Sequence, residues 1–278
     1  MNLKSLFGVN GVRAGKTEFQ KWATKELASL FPFSKNLVSD TEIVYNHIDE
    51  FDKFKDSRVL IIGGGPSSNE VNWENLDYDY VFSINHFYKN EKLKNRPVDL
   101  ISVGAEVDLQ SDEFVSYVSE HNPTLVFEWH GRWYNESEYF RQLSQVYPKV
   151  SCLQTRAYGK LGGGIRLMIL AMYLGVKEIY IVGLDGCPGL SVKTKEFTIP
   201  KHSFESGKVS LPWKITPDNA YEIYHHQYDT LWKYVTEELK FDTKVFNLGE
   251  DCDFNFSSIW TKKISPLPIE IKQKINKN

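Results

Sequence analysis

Seven short runs rich in β-branched and aromatic residues recur between Arg58 and Leu248: Arg58–Ile62, Tyr80–Ile84, Val98–Val103, Thr124–Glu128, Val150–Leu153, Glu178–Val182 and Lys244–Leu248. Helical spacing of apolar residues separates many of them, and this alternation specifies an α/β fold on a mostly parallel sheet. In such sheets ligands bind beyond the carboxyl ends of the strands, near the point where strand order reverses. The residues that directly follow each run therefore carry the functional expectation.

The first of these positions is the sharpest. Arg58–Ile62 runs into Gly63-Gly64-Gly65-Pro66-Ser67-Ser68, which reads as a strand, a tight turn and the opening of a helix. That order sets backbone N–H groups and a positive helix end against a phosphate. Three flexible residues before the fixed φ of Pro66 suit close approach to an anion, and Ser67 and Ser68 add hydroxyls. The same residues would also serve a plain turn that lets a helix pack closely on the sheet. The dinucleotide fingerprint G-x-G-x-x-G is not met, because Ser68 occupies its last position and no acidic residue closes a second strand about twenty residues on. Gly11 to Thr17 comes near the phosphate-loop pattern, but Asn10 stands where its first glycine belongs and Met1 to Phe7 is a poor buried strand.

Later strand ends supply Asn85 and His86, Gly104 to Glu106, Trp129, His130 and Arg132, and then Asp185, Gly186 and Cys187. Gly162-Gly163-Gly164 forms a second glycine-rich entry to a helix, over Ile165 to Leu174, whose N–H groups could also hold a phosphate. Gly186 to Asp218 has no persistent period and reads as a lid over the site. Pro217-Asp218 then opens a helix to about Leu239, with His225 and His226 near its start. Upstream, residues 1–55 read as a helical extension, with one helix over Thr17 to Leu30 and a second from Asp40 carrying Ile43, Val44, His47 and Ile48. The expected organisation is this extension, a ligand-binding domain over 56–261, and a basic tail over 262–278 that frays into solvent or makes a weak peripheral membrane contact.

Composition narrows the partners. A net charge of −3 and pI near 6.2 give no electrostatic reason to expect nucleic acid. Cys152, Cys187 and Cys252 are odd in number and widely spaced, which favours neither a disulfide framework nor a zinc knuckle. No run of eighteen apolar residues and no signal-peptide pattern is present, so a soluble, cytoplasmic protein is expected, with the inner face of the membrane within reach of the basic tail. Asp185 lacks a neighbouring D-x-D, and His47 and His130 lack ligand spacing, so neither a metal nor a cofactor is expected.

Three separated motifs agree in order: Leu60 to Ser67, Ser83-Ile84-Asn85-His86-Phe87-Tyr88, and Leu161 to Leu174 leading into Lys177-Glu178-Ile179-Tyr180-Ile181-Val182-Gly183-Leu184-Asp185. Over roughly Arg58 to Asp185 the chain resembles the bacterial sialyltransferases of glycosyltransferase family 42. It is also similar to the related motility-associated and domain-of-unknown-function 115 proteins, which share the G-x-G-P-S turn and the K-E-I-Y-x-x-G-x-D strand.

The resemblance implies a Rossmann-like domain with a CMP-sugar site and an inverting transfer to a glycan acceptor that needs no essential metal. Gly63 and Gly65, with Gly64, Pro66 and Ser67, would form the turn against the nucleotide phosphate. Asn85 would contact the nucleotide, and Lys160 with Gly162, Gly163 and Gly164 stands where the family has a basic residue followed by T-S-G. Asp185 closes the last motif. The family's tyrosine two residues further on is replaced by Cys187, and its catalytic histidine corresponds in region to His225 or His226. The same resemblance admits an ATP-dependent pyrophosphokinase of the pterin pyrophosphokinase type, and the departures at Cys187 and the T-S-G site admit a non-catalytic nucleotide-binding protein. Self-association is compatible with each reading.

Overall fold

The computed structural model describes residues 36–39, 43–104, 107–128, 136–155, 163–184, 241–250 and 264–276. Within them lie strands β1 (Leu37–Ser39), β2 (Ile43–Asn46), β3 (Arg58–Ile62), β4 (Tyr80–Ile84), β5 (Leu100–Val103), β6 (Thr124–Glu128), β7 (Val150–Thr155), β8 (Glu178–Val182) and β9 (Lys244–Asn247). The helices are α1 (Ser67–Glu70), α2 (Asp112–His121), α3 (Glu136–Val146), α4 (Gly163–Tyr173) and α5 (Ile269–Ile275). The strands form one sheet in the order β1-β2-β7-β6-β5-β4-β3-β8-β9, parallel from β7 to β9 with β1 and β2 antiparallel at one edge.

Strand order marks one sheet edge. From β3 the chain steps through β4, β5 and β6 to β7, then returns to lay β8 on the other flank of β3. The direction of winding reverses at the seam between β3 and β8, so their carboxyl ends mark the switch point. Central strands covered on both faces need apolar residues throughout, and the last four positions of β3, β4 and β8 are all buried.

Helices cover both faces. Glu128 of β6 reaches Arg166 of α4, whereas its neighbour Phe127 packs its ring against Phe140 of α3 at 5.9 Å. Successive strand residues point to opposite faces, so α3 and α4 lie on opposite sides of the sheet. Every residue of α4 from Gly164 to Met172 is buried, and apart from Arg166 all are glycine or apolar, as a helix covered on every side requires. The solvent-facing α2 is more conventional: the Ser111 hydroxyl accepts from the Phe114 N–H, and Asn122 closes the helix at φ +46° before Pro123.

All seven runs read from the sequence are strands of the parallel block, with small shifts at their ends. The run expected from Val98 is strand from Leu100, with the Asp99 N–H already donating to the Val81 carbonyl at 2.8 Å, whereas the Val98 N–H donates to the Tyr117 hydroxyl at 3.0 Å. The helix expected from Asp40 is corrected: Ile43–Asn46 is β2, with Ile43, Val44 and Tyr45 opposite Thr155, Gln154 and Leu153 of β7. Pairing with an open sheet edge buries all four residues, more than one stripe of a helix would. The tail differs from a frayed segment as well. Residues Ile269–Ile275 form α5, Ile275 is buried, and Lys274 pairs with Asp77 at 2.6 Å. The helix expected over Thr17 to Leu30, the near phosphate loop, the lid over 186–218 and the helix opening at Pro217 lie outside the described residues. No described helix is long and apolar enough to cross a membrane.

Candidate functional site

At the switch point the glycine turn is locked to the end of β8. The Gly63 N–H donates to the Val182 carbonyl at 2.8 Å, and the Gly65 N–H to the Gly183 carbonyl at 2.7 Å. A Cβ on Gly63 would overlap the Gly183 carbonyl and stand 2.6 Å from Leu184 Cδ2, and one on Gly183 would overlap the Gly63 carbonyl. Gly183 also holds φ +71°, the left-handed region that glycine occupies without strain. The two backbones thus approach as closely as the absence of side chains permits.

Both serines turn inward. Ser67 Oγ accepts from the Gly183 N–H at 2.8 Å, and Ser68 Oγ donates to the Gly65 carbonyl at 2.8 Å. Neither serine is more than 1% exposed, so these hydroxyls brace the turn instead of facing a ligand. The helix that follows, α1, is only four residues long and has little macrodipole. What remains on offer is the turn itself. Gly65 and Pro66 are partly exposed, and the Gly64 N–H has no acceptor among the described residues.

Asn85 lies one strand away, directly after β4, at φ +45°. Its Oδ1 accepts from the Gly104 N–H at 2.9 Å and its own N–H donates to the Ser102 carbonyl at 2.9 Å. The side chain is thereby held between the carboxyl ends of β4 and β5, partly exposed.

The amino end of α4 reaches the same edge, and its two described glycines have different neighbours. A Cβ on Gly164 would overlap the Leu184 side chain, whose Cδ2 is the methyl that also touches Gly63. One Leu184 methyl therefore sits between the two glycine-rich turns. A Cβ on Gly163 would lie 3.1 Å from Glu128 Oε1 and 3.6 Å from Ile84 Cγ2. Glu128 is held there by Arg166 Nη1 at 2.7 Å from Oε2 and by the Ser102 hydroxyl at 2.9 Å from Oε1. Both charged side chains are under a tenth exposed.

Of the residues named from sequence, the fold brings Gly63, Gly64, Gly65, Pro66, Ser67, Asn85, Gly163 and Gly164 to one edge of the sheet. Lys160, Gly162, Asp185, Cys187, His225 and His226 lie outside the described residues. Glu128 and Gly183 were missed as site residues. The available signals were a lone carboxylate directly after the apolar residues Leu125, Val126 and Phe127, and a glycine directly after the β8 run.

Neither a protein-family model nor a curated relative matches the sequence. Among solved structures, the chain is similar to the monofunctional α-2,3-sialyltransferase Cst-I from Campylobacter jejuni. That likeness has 19% identity and a TM-score of 0.51, and covers 80% of this chain and 82% of that one. The sialyltransferase CstII from Campylobacter jejuni, in complex with the substrate analogue cytidine-5'-monophosphate, aligns at 15% identity over 81% of this chain and 88% of that one, with a TM-score of 0.49. An α-2,3-sialyltransferase from Campylobacter jejuni in apo form aligns at 19% identity over 80% and 82%, with a TM-score of 0.47. At its identity, the likeness to Cst-I is one of fold: this chain has a Rossmann-like α/β architecture that it shares with that structure.

Proposed function

We propose that the protein is an inverting glycosyltransferase that moves a sialic-acid-like sugar from a CMP-linked donor to a glycan acceptor without a metal. The observation that carries this reading is the position of the Gly63–Pro66 turn: it lies at the β3–β8 switch point and is bonded back to Gly183, in a fold shared with a sialyltransferase. Each of the three sequence motifs that resemble family 42 contributes described residues to this edge: the Gly63–Ser67 turn, Asn85, and Gly163, Gly164 and Gly183.

In this reading the Gly64 N–H and the open face of Gly65 receive the donor phosphate, and Asn85 contacts the nucleotide. Lys160, Gly162 to Gly164 and Asp185 complete the donor site, and Ser67 acts by holding the turn. His225 or His226, as neutral imidazole, takes the proton of the acceptor hydroxyl while that oxygen attacks the anomeric carbon. The new C–O bond forms on the face opposite the phosphate, the bond to the phosphate oxygen breaks, and the leaving CMP keeps its electron pair. Donors aimed at that phosphate lower the barrier because charge accumulates there.

Ligand preference tests the reading. A thermal-shift panel of CMP, UDP, GDP and ATP, with and without magnesium, should show stabilisation by CMP that magnesium does not alter. A ligand at 100 times its dissociation constant adds about 2.7 kcal/mol, well within detection. Magnesium-dependent stabilisation by ATP alone would replace this reading with a pyrophosphokinase. Binding of CMP with no hydrolysis or transfer of a CMP-sugar would leave a nucleotide-binding protein.

A further inference from the structure

A third glycine closes on the turn from the far end of the chain. Gly249 follows β9 by two residues, and a Cβ there would stand 3.0 Å from Ser67 Oγ and 3.1 Å from Ser67 Cβ. Its φ lies outside the left-handed region, so space alone, and no backbone conformation, requires glycine at this position. The side chain it meets is already committed: Ser67 is fully buried, and its Oγ accepts from the Gly183 N–H at 2.8 Å. Gly183 in turn receives the Gly65 N–H on its carbonyl at 2.7 Å. Pressure from the loop after β9 therefore passes through one serine to the backbone that fixes the glycine turn.

That loop is held from both sides. The Leu248 N–H donates to the Ile181 carbonyl of β8 at 2.9 Å, and Asn247 takes the Gly249 N–H on its Oδ1 at 3.1 Å and the Glu250 N–H on its carbonyl at 3.3 Å. The C-terminal segment anchors the same stretch: the Ser265 N–H donates to the Val245 carbonyl at 2.7 Å, and Lys272 of α5 lies 3.7 Å from Glu250. Rotating the Ser67 hydroxyl would not make room for a methyl at position 249, because Ser67 Cβ itself stands in the way. The overlap is relieved by moving Ser67 off Gly183. We propose that Gly249 is a positioning residue for the donor turn: it leaves the room in which Ser67 keeps its hydroxyl on the Gly183 N–H, and with it the Gly63–Pro66 turn in its ligand-binding geometry. This inference rests on the reading of the edge as a nucleotide-sugar site.

Calorimetric titration of CMP into the full-length protein, with amide exchange of Gly183 followed by nuclear magnetic resonance, provides the test. Gly249→Ala should weaken CMP by about tenfold or more, because a displaced turn no longer meets the phosphate at hydrogen-bond distance. The Gly183 amide should exchange at least about tenfold faster than in wild type, while the amides of β4 and β5 keep their protection. Ser67→Gly removes both atoms that the methyl would strike. It should itself weaken CMP, and adding Gly249→Ala to it should change the affinity by less than about twofold. A methyl that merely loosens the loop would cost the same in both backgrounds, and that result overturns the inference, as does wild-type CMP affinity in a folded Gly249→Ala protein. Should Gly249→Ala fail to fold, the Ser67→Gly/Gly249→Ala double variant, in which the overlap is gone, should fold; failure of both overturns the inference as well. Absence of CMP binding in wild type is the separate outcome that removes the nucleotide-sugar reading. The Gly183 amide then decides the positioning role, which falls if Gly249→Ala leaves its exchange unchanged.

Discussion

Gly183 and Gly63 meet back to back across the β3–β8 seam, each occupying the space that a Cβ on the other would need. The Gly183 N–H is taken by Ser67 Oγ and its carbonyl by the Gly65 N–H, so one residue after β8 fixes both ends of the glycine turn. Gly183→Ala should therefore be costly on two counts, overlap with the Gly63 carbonyl and a left-handed φ of +71°. A loss of about 2–4 kcal/mol is expected in urea unfolding, with nucleotide binding weakened as well because the turn shifts.

Gly164 tests a different neighbour. The atoms nearest a Cβ there all belong to the Leu184 side chain, so Gly164→Ala should destabilise by about 1–3 kcal/mol through overpacking. Adding Leu184→Ala should return part of that loss, giving a double variant more stable than the two single effects predict by about 1 kcal/mol or more. Strict additivity in denaturant titrations would place the obstruction elsewhere. Gly63→Ala should not be rescued in the same way, because the Gly183 carbonyl also stands in its path.

At the opposite end of β3, acid sensitivity should follow Asp79. The Arg58 guanidinium, and next the Arg58 backbone N–H, hold this carboxyl below its ordinary value. A lowered folded-state value means stability that is present above the unfolded value near 3.9 and disappears as pH falls through the folded value. Asp79 is 41% exposed, so solvent screening limits the contribution to under about 1 kcal/mol. Asp79→Asn should thus be slightly less stable than wild type near pH 7. The gap should close below about pH 4 in unfolding measured across pH.

Function is tested at Gly65 and at the two histidines. Gly65→Val places a branched side chain on the partly exposed part of the turn and should abolish CMP binding while the far-ultraviolet spectrum stays native. His225→Ala or His226→Ala should lower turnover of a CMP-sugar by about 100-fold or more with CMP affinity retained. Full activity in both single variants and in the double variant would assign the base to another residue.

Much of this architecture was legible along the chain because its signals are local. Val59 to Ile62, Val81 to Ile84 and Ile179 to Val182 are short apolar runs bounded by turn residues, and a buried parallel strand needs nothing else to be recognised. The glycine turn after β3 was visible for the same reason, as was Asn85 after β4. Pairing partners were not visible. Ile43 to Asn46 carries a pattern that suits a helix as well as a strand, and the open edge of β7 decided between them. The turn hydroxyls of Ser67 and Ser68 read as ligand donors until Gly183 and Gly65 supplied their partners from within the protein. Glu128 and Arg166 are 38 residues apart and come together only because α4 crosses back over the sheet to deliver β8 beside β3. Local sequence thus determined which segments are strands and where the flexible turn lies. Strand order, a property of long-range packing, decided that this turn stands at the switch point and that a buried carboxylate holds the helix end beside it.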